Sequence, residues 1–335
     1  MFDRHFKAWP RFAPKQLRLP ETSLFTNLEV SALRYGSQPA LIYYDTPISY
    51  ARLKQDAEAV AGYLQHLGVK KGDRVLLFMQ NSPQFIIGYY GILRADAVVV
   101  PVNPMNRVAE LEHYLRDTDA KVALCGQELF QAIAPHLESG LLEHLVVAAY
   151  RDYIEQPTEL DLPEAVAMAR QDIRQPGVHL WSEVLAAAKK PGPHLSQPDD
   201  LAVLPYSSGT TGAPKGCMHS HRTVMATLVG GAVWLPSSAG SVVLGTLPMF
   251  HVTGMQACMN TPIFIGSTVV LMTRWDRRTA ARLIERYKVT AWTNIATMVI
   301  DFLADPEIGK YDLSSLMAIG GGGAAMPAAV EEKLH

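Results

Sequence analysis

Apolar residues at Leu53, Ala57, Val60, Ala61, Leu64 and Leu67 recur every three or four positions, which predicts a helix from Tyr50 to Leu67, opened by Ser49 and closed by Gly68. An earlier helix is expected over Ser23 to Tyr35 on Leu24, Phe25, Leu28, Val30 and Leu33, with Thr22 or Ser23 as its cap. Two short strands fall between them, at Ala40 to Tyr44 and Pro47 to Ser49. From Val75 the pattern changes to short unbroken apolar runs, Val75 to Met79, Ala97 to Val100 and Lys121 to Leu124, separated by helix-length segments at Pro83 to Arg94 and Val108 to Asp117. Strands spaced by helices of that length pair in parallel through right-handed crossovers.

Residues 151–198 carry six prolines and mixed charges, and they read as an irregular connection holding one short helix, Trp181 to Ala188. Such a connection is either functional or an insertion. Regular structure resumes near Asp199. Ser220 can cap a helix through Arg222 to Trp234, in which Gly230 and Gly231 mark close packing or a bend. Strands are expected at Val242 to Leu244, Thr268 to Leu271, Val289 to Thr293 and Leu316 to Ile319, with helices at Asp276 to Tyr287 and Ala296 to Ala304. The fold class is therefore α/β, two packed parallel or mixed sheets flanked by helices. One lobe takes residues 50–200, the other residues 20–49 with 201–335.

Composition narrows the function. The chain of 335 residues is 48% apolar, enough for a large core, and its net charge of −2 with mixed signs gives no basic stripe for nucleic acid. Cys125, Cys217 and Cys258 form neither a disulfide framework nor a zinc pattern, which points to a reducing cytoplasm. No membrane-spanning run is expected, since Val75 to Leu93 is broken by Gln80 to Gln84, and the N-terminus lacks the apolar core of a secretion signal. Residues 1–10 do mix charges with aromatics, so contact with a membrane surface is the secondary option.

The chemistry concentrates in Tyr206-Ser-Ser-Gly-Thr-Thr-Gly-Ala-Pro-Lys-Gly216. Gly209 and Gly212 free backbone N–H groups to converge on one anion, the hydroxyls of Ser207, Ser208, Thr210 and Thr211 add donors, and Lys215 supplies a compact positive charge. The plain alternative is a flexible surface linker. Pro214 stands where the nucleoside-triphosphatase loop needs glycine before its lysine, and no G-x-S-x-G elbow is present.

That string resembles the phosphate loop of the acyl-adenylate-forming superfamily, which includes acyl-CoA synthetases, firefly luciferase and the adenylation domains of nonribosomal peptide synthetases. The similarity extends from about Thr22 to Pro327, through Ala97-Val-Val-Val-Pro-Val-Asn-Pro104; Asp96 departs from it where a glycine is expected. It implies that a carboxylic acid, most simply a fatty acid, attacks Mg2+-bound ATP to give acyl-AMP and pyrophosphate, and that coenzyme A then takes the acyl group. An acyl-carrier protein as acceptor, or a non-catalytic nucleotide-binding module, is the alternative, and a homodimer is an open option. The superfamily's Tyr-Gly-x-Thr-Glu and Thr-Gly-Asp motifs and its small C-terminal domain with a catalytic lysine are absent from these residues. The expectation is a partial N-terminal domain that binds nucleotide without full turnover.

The same resemblance assigns further residues. Ser207, Ser208, Gly209, Thr210, Thr211, Gly212 and Lys215 would hold phosphates, with Thr211 also on the metal. Leu247-Pro-Met-Phe-His251 resembles a motif beside the reacting carboxylate, so His251 is expected to orient it by a hydrogen bond; a packed core histidine is the alternative. Lys215 and His251 are thus the catalytic candidates. Gly322, Gly323, Ala324 and Ala325, inside Gly320 to Pro327, resemble the wall against which adenine lies, whereas a tight turn is the plain reading. Thr253, Gly254, Met255 and Thr297 resemble positions bordering the acyl pocket, with core packing as an equal alternative. His219 and His221, two apart and without nearby Cys or carboxylate partners, read as structural.

Overall fold

The computed structural model describes residues 4–207, 213–235 and 237–334. Its strands are β1 (Pro39–Tyr43), β2 (Thr46–Ser49), β3 (Arg74–Phe78), β4 (Val98–Pro101), β5 (Val122–Gly126), β6 (His144–Ala148), β7 (Val178–Leu180), β8 (Leu201–Val203), β9 (His219–Ser220), β10 (Val242–Gly245), β11 (Thr268–Leu271), β12 (Ala291–Asn294) and β13 (Ala318–Gly321). They form a six-stranded sheet in the order β13-β12-β10-β11-β1-β2 and a seven-stranded sheet in the order β7-β6-β5-β3-β4-β8-β9. Each sheet is parallel except at one edge, where β2 and β9 turn back antiparallel. The expected α/β class with two helix-flanked sheets is what the chain adopts.

Alternation along β3 shows how one strand serves two cores. Val75 and Leu77 face the large cluster shared with the other sheet, while Leu76 and Phe78 face a second cluster under the helix Val108–Thr118. Burial on both faces is why β3 to β5 read as unbroken apolar runs. The helix Tyr50–His66 begins where the Ser49 side chain accepts from the Arg52 N–H and stops just short of Gly68 at φ +95°. It packs on Pro83–Arg94, where Gly91 leaves no room for a side chain: a Cβ there would come 2.8 Å from a Val60 methyl carbon.

Several details depart from the sequence reading. The stretch 151–198 contains β7 and a one-turn helix, Glu164–Ala167, besides Trp181–Ala186. Elements of three or four residues are too short to show a period. The last strand lies two residues later than expected because its register is set by β12, with Ala291 opposite Ala318 and Asn294 opposite Gly321.

Asp96, the departure from glycine, does sit in the left-handed region at φ +62°, and its side chain finds a use there. Its carboxylate accepts from the N–H groups of Leu195 (2.9 Å) and Ser196 (2.8 Å) and from the Ser196 hydroxyl (2.8 Å), and it lies 2.8 Å from His194 Nδ1. Burial pushes the carboxyl up, but the bonds from His194, Ser196 and Leu195 outweigh it and hold it at about 2. The turn thereby pins the end of the long connection to the seven-stranded sheet.

His219 and His221 do not share a face, since β9 ends at Ser220 and His221 opens the helix His221–Trp234. His221 is buried and its Nδ1 accepts from the Leu24 N–H at 3.1 Å, joining the N-terminal helix Leu24–Tyr35 to the sheet edge. Burial pushes this imidazole down from its ordinary 6.5 to about 4, with nearby His194 adding to the shift and Asp200 and Asp96 opposing it. Between those values the unfolded chain binds a proton that the fold refuses, so stability falls as pH drops. We expect His221 to cost about 2 kcal/mol between pH 7 and pH 5. His221→Asn, which keeps an acceptor for Leu24 but cannot titrate, should flatten that part of the urea-midpoint profile; an unchanged slope would mean that His221 takes up its proton as readily in the fold as in the unfolded chain.

Candidate active site

Three parallel strands of the six-stranded sheet, β10, β12 and β13, point their carboxyl ends to one side, the place where open α/β sheets bind ligands. From β10 the chain runs through Leu247-Pro-Met-Phe-His251. Asn81, just beyond β3 in the other sheet, reaches across to this segment. Its Nδ2 donates to the Leu247 carbonyl at 2.9 Å and its Oδ1 accepts from the Met249 N–H at 2.8 Å. A buried side chain that satisfies two backbone groups fixes the path of a segment lacking regular structure.

His251 then caps the short helix Val252–Met255, its Nδ1 accepting from the Thr253 N–H at 3.2 Å. With Nδ1 as acceptor the neutral ring carries its proton on Nε2. His251 is exposed, so the packed-core alternative does not describe its surroundings. Gly254 lies beneath it, pressed so closely to Pro248 that a Cβ would stand 2.1 Å from the carbonyl oxygen. Helical backbone continues through a wide turn, Gln256–Asn260, to Thr261–Ile265, a stretch that the sequence reading left without structure.

The hydroxyl-rich loop rises from an antiparallel base between β8 and β9. Tyr206 pairs with Gly216, the Ser207 N–H donates to the Lys215 carbonyl at 3.0 Å, and the Cys217 N–H donates to the Pro205 carbonyl at 2.8 Å. The Tyr206 hydroxyl donates to the Asp117 carboxylate, and His113 Nε2 meets the Pro214 carbonyl at 2.9 Å. Ser207 and Lys215 are exposed. Ser208, Gly209, Thr210, Thr211 and Gly212 lie outside the described residues.

Between this base and the His251 segment lies a cavity of about 540 Å³. Pro205 and His219 line it from the hairpin, Thr227 and Gly231 from the helix His221–Trp234, Leu235 from just past that helix, Val252, Thr253 and Met255 from the His251 side, and Ala291, Thr293 and Ala318 from β12 and β13. The wall is dominated by carbon. Gly231 keeps it open, since a Cβ there would meet only Thr261, at 3.7 Å, and the helix runs on to Trp234 without a break. Of the expected pocket residues, Thr253 and Met255 line the cavity; Gly254 supports them from behind, and Thr297 is exposed on the first turn of the helix Ala296–Leu303, away from the wall.

Beyond β13, Gly322, Gly323, Ala324 and Ala325 form an exposed stretch with Gly323 at φ +83°. Gly321 abuts Asn294, whose carbonyl a Cβ would approach to 2.9 Å. A second cavity of about 460 Å³ borders the same segment at Pro248 and Phe250, between Asn103, Pro104 and Met105, which follow β4, and Thr273, Arg274 and Trp275, which follow β11. Asn81 and the cavity walls from β12 and the helix His221–Trp234 carry no motif, and their roles arise only where the two sheets meet.

The comparisons agree with this geometry. A model of the AMP-binding enzyme family matches residues 28–335. The chain is 31% identical over 337 residues to a long-chain-fatty-acid–CoA ligase of Bacillus subtilis (strain 168), covering 98% of this chain and 60% of that protein. It is 29% identical to the Escherichia coli O6:H1 enzyme of the same name over 93% of this chain and 57% of that protein. The chain thus spans 57% to 60% of the length of these relatives. Among solved structures it superposes with a TM-score of 0.79 and 25% identity on a long-chain-fatty-acid-CoA ligase from Archaeoglobus fulgidus, covering 97% of this chain and 62% of that one. On the N-terminal domain of FACL13 from Mycobacterium tuberculosis the TM-score is 0.77 at 25% identity, with 92% and 72% coverage. With the family model matching residues 28–335, the chain belongs to the AMP-binding enzyme family.

Proposed function

We propose that the chain binds ATP and a fatty acid for activation of the carboxylate to acyl-AMP, with the acyl group passing on to coenzyme A. The observation that carries this reading is the shared cavity: the base of the hydroxyl loop and the His251-capped helix line one apolar space. Its volume falls within the range of small-molecule pockets, roughly 300–1,000 Å³. The ligases named among the relatives support the substrate class.

In this reading the acid's chain lies in the cavity against Met255 and the helix His221–Trp234, and its carboxylate reaches out at Thr253. A carboxylate at neutral pH has no proton to lose, so His251 acts through its Nε2–H as a donor that orients the nucleophile. Ser207, Lys215 and the loop between them hold the phosphates and stabilise the charge that builds on pyrophosphate as it leaves. Adenine would lie along Gly322 to Ala325. Among the described residues no group of three or more His, Cys, Asp or Glu could hold a metal ion. Mg2+ would be carried chiefly on the nucleotide's phosphates, with the Thr211 hydroxyl as a protein ligand. When bound, it would offset phosphate charge in the transition state. No helix among the described residues is long and apolar enough to cross a membrane, and the free Cys125, Cys217 and Cys258 fit a cytoplasmic setting.

The test is calorimetry of the chain with Mg-ATP, paired with displacement of a fluorescent fatty acid by acids of increasing length. Both ligands should bind. Gly231→Phe should shift the preference toward shorter acids while leaving ATP affinity unchanged. A folded chain that takes up neither ATP nor fatty acid would overturn the reading.

A further inference from the structure

A proline shapes one wall of the large cavity. Pro262 has no N–H to give to the Cys258 carbonyl four residues back, and the helical run Val252–Ile265 widens over Gln256–Asn260 just before it. Hydrogen bonds in such a turn reach the fifth residue, so the Thr261 N–H donates to the Gln256 carbonyl. In a regular helix residues five apart point about 140° away from each other. Here the wide turn stacks them, and both Gln256 and Thr261 line the cavity. Turns of this kind recur at functional sites.

The Gln256 amide is only half satisfied. Its Nε2 donates to the Val224 carbonyl of the helix His221–Trp234 at 3.4 Å, which fixes the orientation of the amide, because its oxygen could not face a carbonyl. Oε1 is then buried, and it has no hydrogen-bond partner among the described residues. The Thr227 hydroxyl, on the same helix and also at the cavity, cannot serve it, since its hydrogen goes to the Thr223 carbonyl at 3.3 Å. The nearest positions along the wall, Val224, Met255 and Ala257, present carbon. A plain alkyl chain packed there would leave an acceptor shut away from water and unpaired, which is unfavourable.

We propose that the cavity takes a hydroxylated carboxylic acid whose chain hydroxyl donates to Gln256 Oε1. This deepens the fatty-acid reading of the same site and rests on it. Gln256 lies three residues beyond Thr253, where the carboxylate reaches out, and so about 5 Å along the same helix face. The hydroxyl therefore belongs on the third to fifth carbon, not at the far end of the chain. Its oxygen keeps lone pairs for the hydroxyl of Thr261, one wide turn on. A site that hydrogen-bonds a substrate hydroxyl disfavours the analogue lacking it, because its own polar group is then left unpaired.

Displacement of a fluorescent fatty acid by a set of acids of one length tests this: decanoic acid, its derivatives with a hydroxyl on the third, fifth or last carbon, and the methyl ethers of the first two. A hydroxyl on the third or fifth carbon should tighten binding about tenfold over decanoic acid. The matching methyl ether has no hydrogen to donate and should lose that gain, and a hydroxyl on the last carbon should bring none. Gln256→Met keeps an unbranched side chain of similar length and removes the amide; it should erase the preference while holding decanoic acid as well as the wild type does. The ether comparison is made on the wild-type chain and stands even if that variant folds poorly. Equal affinity for decanoic acid and all its hydroxylated derivatives, an ether that binds as tightly as its alcohol, or a preference that survives in a folded Gln256→Met chain would overturn the proposal, the first meaning that water alone serves Oε1. A chain that takes up no acid of any kind would instead overturn the fatty-acid reading beneath it.

Discussion

On the proposed function, replacing Thr210 and Thr211 together with valine in the full-length protein should lower adenylate formation at least about a hundredfold. Valine keeps the volume and branching of threonine and removes only the hydroxyl, so the loop loses two donors and little else. Each donor to a charged oxygen is worth about 1.5–3 kcal/mol, and each 1.4 kcal/mol is a factor of ten in rate. The two threonines lie outside the described residues. What the structure describes beside them is the hairpin base, where the Ser207 N–H donates to the Lys215 carbonyl and Tyr206 pairs with Gly216. Calorimetry with Mg-ATP and carboxylate-dependent pyrophosphate exchange would report the loss. Unchanged exchange, in a variant of wild-type unfolding temperature, would remove these hydroxyls from the phosphate site.

Gly254→Ala should destabilise the fold by about 3 kcal/mol, the upper end for overpacking, and should abolish fatty-acid binding. The added Cβ would lie 2.1 Å from the Pro248 carbonyl oxygen and 2.8 Å from that of Leu247, so the backbone itself must move. It cannot move freely, because Asn81 holds Leu247 on one side of Pro248 and Met249 on the other. Strain would pass instead to the short helix that Gly254 belongs to, displacing Thr253 and Met255 from the cavity wall and loosening the His251 cap. ATP affinity, which the proposed function assigns mainly to the hairpin, should suffer less. Urea midpoints together with separate ATP and fatty-acid titrations would distinguish this from general unfolding. An alanine variant that keeps both stability and fatty-acid affinity would show that the close approach is not a constraint.

Much of this was legible from local pattern. Parallel strands buried on both faces have to be apolar throughout, so β3, β4 and β5 announce themselves. Helix starts at Ser49 and Ser220 were readable because a capping hydroxyl bonds a backbone N–H only three residues away. Elements whose stability comes from neighbours were not readable in the same way. β7 has three residues and gains its order by pairing with β6, and the helical run Val252–Ile265 carries a proline and a wide turn that tertiary packing stabilises against weak propensity.

The phosphate-loop chemistry proposed above comes from the sequence alone, since glycines, hydroxyls and a lysine within nine residues are the groups that can converge on one anion. It also determined the α/β class, through the alternation of strand-length and helix-length runs. Only the tertiary structure decided that Pro205, Leu235, Met255 and Thr293 enclose one space, that Asn81 of one sheet fixes the histidine segment of the other, and that His221 is a buried neutral acceptor while His219 faces the cavity. It also decided where the basic N-terminal segment lies, with Trp9 against Trp234. The physical reason is range: hydrogen-bond and φ preferences act over a few neighbouring residues and leave a mark in the sequence. A cavity wall is made by residues up to 115 positions apart, Val203 to Ala318, whose types are those of any apolar core.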